Sequence, residues 1–97
     1  MDDKLVIAGK SFSSRLITGT GKHRTPEDIV AATHASGTEI VTVAIRRLNL
    51  SNPNEKTILD YLDWDSYQIL PNTAGSKTAD EAVFTARLAR EITQSSW

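Results

Sequence analysis

Leu70-Pro71-Asn72-Thr73-Ala74-Gly75, followed after Ser76-Lys77 by Thr78-Ala79-Asp80-Glu81, is the stretch that decides the fold. The apolar run Tyr67-Gln68-Ile69-Leu70 before it has β character, and Pro71 has no N–H to give a sheet ladder. A strand is therefore expected to end there. Thr78 with Glu81 reads as a capping box that opens a helix at Ala79. Between strand and helix lies a short polar turn of small residues at a strand's C-terminal end, where α/β folds hold their substrates. Asn72 and Thr73 are the candidate substrate-binding residues, because each can donate and accept hydrogen bonds. The competing reading is turn chemistry, in which asparagine serves the backbone through its own side chain.

Working outward, the same strand-then-helix unit recurs. Thr25-Pro26-Glu27-Asp28 is a helix start, with Thr25 as N-cap, proline at the first helical position and acids in the first turn. Ile29, Ala32, Thr33 and Ser36 share one face at helical spacing, and Gly37 is a natural stop. Glu39 to Ile45 is β-branched and almost continuously apolar, the pattern of a parallel strand covered on both faces. Upstream, Leu5-Val6-Ile7 and Ser11-Phe12 flank Ala8-Gly9-Lys10 as a hairpin, and Arg15 to Thr18 is a strand broken by Gly19-Thr20-Gly21. Asn49 to Asn54, with Pro53, is a polar loop, Thr57 to Asp63 a short helix, and Tyr67 to Leu70 a further strand. The last helix, Ala79 to Thr93, is expected to bury Ala82, Val83, Ala86, Ala89 and Ile92. A repeat at roughly 25–30 residues is the length of a βα unit, so the fold class is α/β with a parallel sheet and right-handed crossovers. Three such units do not close a barrel, which takes eight, so the chain reads as part of a larger domain.

Composition narrows the function classes. In 97 residues, 11 basic and 12 acidic side chains leave a net charge of -1 with no block of one sign, which argues against nucleic acid or a membrane surface as partner. The absence of cysteine excludes disulfides, thiolate metal sites and a cysteine nucleophile within these residues. The N-terminus lacks the basic start and long apolar run of a signal peptide, and no run is long enough to span a bilayer. The expected location is cytoplasmic.

Several local patterns promise more chemistry than they deliver. Gly19-Thr20-Gly21-Lys22 fails as a phosphate loop because Leu16 occupies the earlier glycine position and His23 that of the hydroxyl residue. It fails as a dinucleotide fingerprint because Arg24 stands at the third glycine. Arg46-Arg47 sits at a strand's C-terminal end and reads either as an anion clamp or as an ion pair with a neighbouring carboxylate, the second being favoured. His23 and His34 have no companion ligand at useful spacing. Asp60, Asp63 and Asp65 crowd Trp64, but Tyr67 and Gln68 break a calcium-loop pattern. Lys77 is a conceivable imine former, but an exposed polar turn lacks the desolvation that activates such a lysine. Asn49-Leu50-Ser51 is a sequon with no secretion signal beside it. No nucleophile–base–acid set is present, and no metal or cofactor is expected.

Taken in order, Gly9-Lys10-Ser11-Phe12, Ser14-Arg15-Leu16, Gly19-Thr20-Gly21-Lys22, Val43-Ala44-Ile45-Arg46-Arg47 and Leu70 to Gly75 resemble the bacterial thiazole synthases of thiamine biosynthesis. Thr78-Ala79-Asp80-Glu81-Ala82-Val83 and Ala86-Arg87-Leu88-Ala89-Arg90-Glu91 continue the match, which runs over nearly the whole chain. The resemblance implies a (β/α)8 TIM barrel, of which residues 1–97 are the N-terminal hairpin and the first three βα units. It implies a transferase that joins 1-deoxy-D-xylulose 5-phosphate, dehydroglycine and sulfur from a thiocarboxylated sulfur-carrier protein into thiazole phosphate. A Schiff-base lysine forms an imine with the sugar ketone. In such enzymes that lysine lies on the strand after the Ala79–Thr93 helix, beyond Trp97, so no catalytic residue falls within this chain and the chain alone is expected to be inactive. The expected partners are the sugar phosphate and the sulfur-carrier protein, with homo-oligomers when complete. The alternatives are a non-catalytic βα assembly module that associates with synthase subunits, or an independent small phosphate-binding domain. Half a barrel leaves edges and apolar faces uncovered, so loose structure or aggregation is expected of the chain alone.

Overall fold

A three-stranded parallel sheet forms the body of the molecule, in the order β3-β4-β5, with a separate antiparallel hairpin β1-β2. The computed structural model describes residues 3–21, 25–48 and 56–97. Its elements are β1 (Leu5–Ile7), β2 (Lys10–Phe12), β3 (Ile17–Gly19), α1 (Pro26–Ser36), β4 (Ile40–Ala44), a 3-10 turn (Ile45–Arg47), α2 (Ile58–Tyr61), β5 (Gln68–Asn72) and α3 (Ala79–Thr93). The expected α/β class, the parallel sheet and the hairpin are all present. The Asn49–Asn54 loop, with Pro53 and the sequon, lies outside the described residues, as do Lys22, His23 and Arg24.

β4 is central and its alternation defines two faces. Val41 pairs with Thr18 and Ile69, and Thr42 with Gly19 and Leu70. Val41, Val43 and Ile69 point to one side and form a core with Leu59 and Leu62, flanked by Ile58, Tyr67 and Ile92. Ile40, Thr42 and Ala44 belong to the other face, in register there with Gln68, Leu70 and Asn72. Both faces of β4 are covered at Ile40, Val41 and Val43, as its apolar sequence requires.

All three strands of the parallel sheet differ in their limits from the sequence reading. β3 starts at Ile17 because the Ser14 hydroxyl takes the Leu16 N–H at 3.2 Å, holding Arg15 and Leu16 in a local turn. β4 ends at Ala44, and Ile45 is buried inside a 3-10 turn closed by Leu48 N–H on Ile45 O at 3.1 Å. β5 does not stop at Leu70 but runs through Pro71 to Asn72. The Gln68 N–H donates to Glu39 O at 2.8 Å, toward β4. Backbone groups alternate along a parallel strand, so the Leu70 and Asn72 nitrogens face β4, and those of Ile69 and Pro71 face away from it. The missing N–H of Pro71 therefore removes no bond from the β4–β5 ladder.

The helices follow their caps. Thr25 Oγ1 accepts the Asp28 N–H at 3.1 Å, and Gly37, at φ 73, ends α1 by donating to His34 O. Only Ile29 and Thr33 of α1 are buried; Ala32 and Ser36, expected on the same face, are exposed. The Thr33 hydroxyl donates to Ile29 O at 2.7 Å, which lets a polar residue occupy the packed stripe. α3 has its buried stripe on Thr85, Ala89 and Thr93, with Ala82, Leu88 and Ile92 half-buried. Val83 and Ala86 are exposed, contrary to expectation. Here period outranks residue type: positions 82, 85, 89 and 92 keep strict helical spacing, and Thr93 satisfies its hydroxyl on Ala89 O at 2.8 Å.

α2 is shorter than expected because its ends are claimed by side chains. Asp60 Oδ2 accepts the Thr57 N–H at 2.8 Å, completing a capping box. Asp63 then accepts from the Ser66 hydroxyl at 2.7 Å and the Asp65 N–H at 3.0 Å, an alternative to continuing the helix. These bonds, the Ser66 hydroxyl foremost, hold the Asp63 carboxyl below its ordinary value. The folded carboxyl therefore ionises more readily than the unfolded one. The turn's stabilisation is complete above the unfolded value and is lost as pH falls through the depressed one. Ser66→Ala should raise the Asp63 midpoint toward the ordinary carboxylate value in an NMR titration; an unmoved midpoint would contradict this assignment.

The hairpin turns on Ala8 and Gly9, both at positive φ (51 and 79), the geometry of a two-residue I′ turn. That places Lys10 in β2, opposite Ile7, rather than in the loop. The hairpin sits at the N-terminal end of the sheet. Glu39 Oε1 accepts the Ser13 and Ser14 N–H groups at 2.8 and 2.7 Å, and Lys10 Nζ donates to Gln68 Oε1 at 3.1 Å. Phe12 is buried there with the Trp97 ring edge-on at 5.9 Å. Among the described residues, no helix is long and apolar enough to cross a membrane.

Candidate functional site

The parallel sheet brings the C-terminal ends of β3, β4 and β5 to one side, opposite the hairpin. A depression of about 310 Å³ opens there, lined among others by Gly19, Gly21, Thr42, Arg47, Asn72 and Ala74. Asn72 is half-buried at the end of β5. Its Nδ2 donates to Thr42 Oγ1 at 2.9 Å, and its Oδ1 accepts the Ala74 N–H at 3.1 Å. The side chain thus ties its own turn, as the turn-chemistry reading expects, and also reaches across to β4. Thr73 does not line the depression. Its carbonyl accepts the Ser76 N–H at 3.2 Å across a turn that places Gly75 at φ 88. A positive φ at the third turn position is the type II requirement that glycine meets without strain.

The arginine pair divides. Arg46 Nη1 donates to Gly75 O at 2.8 Å and lies 3.6 Å from Glu81 Oε2. The same Glu81 oxygen accepts the Lys77 N–H at 2.6 Å. Glu81 thus reaches one residue past the N-cap, where a capping box was expected, while Thr78 Oγ1 takes the Glu81 N–H at 3.1 Å as foreseen. Both charged groups are nearly half exposed, so their pair contributes no more than about 1 kcal/mol. Its effect is geometric: it latches the 73–78 turn to the end of β4. Arg47 instead turns toward β3, and a Cβ at Gly21 would come within 3.2 Å of its Nη1. A side chain at position 21 would push that guanidinium aside by a few tenths of an ångström.

The remaining sequence candidates do not assemble. Lys77 is exposed, and His34 is exposed on α1. Among the described residues, no three of His, Cys, Asp and Glu gather as metal ligands. Asp60 and Asp63 instead serve the ends of α2. Two site features went unread in the sequence: Thr42, and the separation of Arg46 from Arg47. A lone hydroxyl in the aliphatic run 40–45 was the available signal for Thr42.

The family described as "Thiazole biosynthesis protein ThiG" matches residues 6–97. The chain belongs to this thiazole synthase family. It is 57% identical over 90 residues to a thiazole synthase from Geobacter metallireducens, covering 93% of this chain and 35% of that protein. It is 58% identical to one from Rhodospirillum rubrum, covering 93% and 31%. Against the thiazole synthase of Solibacter usitatus it is 52% identical over all 97 residues, 38% of that protein. The chain thus spans about a third of the length of these relatives. The resemblance carried by the Gly9–Phe12, Val43–Arg47 and Leu70–Gly75 motifs is borne out at the level of the family.

Proposed function

We propose that residues 1–97 are the N-terminal part of a single thiazole synthase domain: the hairpin and the first three βα units of a (β/α)8 barrel. Two observations together support this: the family match over residues 6–97, and the strand order β3-β4-β5, parallel and sequential, which is how a barrel wall is wound. The hairpin lies at the end where a barrel is closed, and the depression at the end where barrels keep their active sites. In this reading both sheet edges are joined by further strands, and the exposed side chains of Val83 and Phe84 (70% exposed) are covered by later units.

The reaction is that of the family. A transferase acting in the cytoplasm combines 1-deoxy-D-xylulose 5-phosphate, dehydroglycine and the sulfur of a thiocarboxylated carrier protein into thiazole phosphate, as a homo-oligomer when complete. A lysine amine condenses with the sugar ketone, water leaves, and the resulting imine acts as an electron sink for proton loss at the adjacent carbon. That lysine is on the strand after α3, outside residues 1–97. Within these residues, Asn72 contributes to the substrate-facing mouth by orienting Thr42, and Thr73 by shaping the turn beside it.

Borohydride reduction of this chain mixed with the sugar phosphate tests the assignment by intact mass. The expected result is no adduct. A stable adduct on Lys77 or Lys22 would overturn it.

A further inference from the structure

Among its described residues, the depression at the strand ends has an unbalanced charge. Among its described lining residues, Arg47 is the one charged side chain and no carboxylate faces it. Its sequence neighbour Arg46 is matched by Glu81; among the described residues, Arg47 has no such pair. Gly21 admits the guanidinium against the β3 turn, where any Cβ would crowd it.

The hydrogen bonds give the site a direction. The Ala74 N–H fixes the Asn72 amide with its oxygen toward the turn and its NH₂ toward Thr42. Thr42 Oγ1 is therefore an acceptor from Asn72, and its own proton remains for donation. No described residue takes that proton. A planar cation and an oriented hydroxyl donor, with no competing acid among the described residues, are matched by an oxyanion. The volume of about 310 Å³ suits a small molecule rather than a macromolecule.

We propose that Arg47, with the Thr42 hydroxyl held by Asn72, binds an oxyanion group of a small substrate, a carboxylate or a phosphate, in this depression. The inference rests on the proposed function for making that molecule a substrate, but binding itself is measured without turnover. The Arg46 latch, which fixes the β5 turn carrying Asn72 and Ala74, is the support of the site rather than a contact.

Calorimetric titration with inorganic phosphate and, separately, glycolate tests this. It is run on the chain and on a chimera in which residues 6–97 replace the matching third of the Geobacter metallireducens synthase, where the sheet edges are covered. Saturable one-to-one binding is expected, and the tighter of the two probes identifies the anion as phosphate or carboxylate. Arg47→Met should weaken it about tenfold or more, and Arg47→Lys less, because the charge stays but the fork is lost. Arg87→Met, an exposed arginine on α3, should leave it unchanged. No saturable binding in the folded chimera, or equal weakening by Arg47→Met and Arg87→Met, would overturn the proposal. A chimera that makes thiazole phosphate without Arg47-dependent anion binding defeats this inference alone. One that binds the anion through Arg47 but forms no product defeats the proposed function alone.

Discussion

Phe12→Ala should destabilise the chimera by about 3–5 kcal/mol. Phe12 is 1% exposed and stands at the end of β2, where the hairpin meets the N-terminal end of the sheet. Its neighbour is Trp97, edge-on at 81° between ring planes, a contact worth about 0.5–1.5 kcal/mol within that total. The polar ties of the hairpin are the two N–H groups on Glu39 and the Lys10–Gln68 bond, mostly exposed and weak alone. Removing the ring therefore deletes the principal apolar anchor. A lowered urea midpoint with increased amide exchange across Val6–Phe12 is the expected outcome. A loss under about 1 kcal/mol would mean that the hairpin is not docked through Phe12.

Ile69→Ala should cost about 2–5 kcal/mol in the same background, and Ile69→Val about 0.5–1.5. Ile69 is 2% exposed, lies opposite Val41 in the β4–β5 register, and packs with Val43, Leu59 and Leu62. Truncation leaves a cavity between the sheet and α2 that strands cannot close without breaking register. The two-step series separates packing from β propensity, since valine retains the β-branched shape. Equal losses for valine and alanine would point to backbone rather than cavity effects.

Much of this fold was legible because its signals are local and mutually consistent. Thr25-Pro26 and Thr78 fix helix starts by supplying acceptors for orphan N–H groups, and the aliphatic run 40–45 marks the central strand. Pro71 misled because the penalty of proline depends on which way its nitrogen faces, a property of sheet position that one strand does not reveal. Val83 misled for a related reason. Hydrophobicity nominated it, but the orientation of α3 on β5 buries Thr85 instead, and at Thr93 on the same stripe the hydroxyl is satisfied locally on Ala89 O.

The site was half legible. The Leu70–Gly75 mouth and Asn72 follow from strand-end position, and the structure places Asn72 in the depression. Arg46 and Arg47 are indistinguishable as a dipeptide, yet the 3-10 turn that begins at Ile45 sends one to Glu81 and the other to Gly21. Adjacent residues in such a turn diverge by about a third of a revolution, and only the neighbouring elements decide what each meets.

The central claim is that these residues build one wall of a thiazole synthase barrel whose imine-forming lysine lies outside them. Borohydride trapping of the sugar phosphate on the chimera, followed by peptide mapping, tests it most directly. The account predicts one reduced adduct, on a lysine of the Geobacter metallireducens portion. An adduct on Lys10, Lys22, Lys56 or Lys77, or none in a folded chimera, would contradict it.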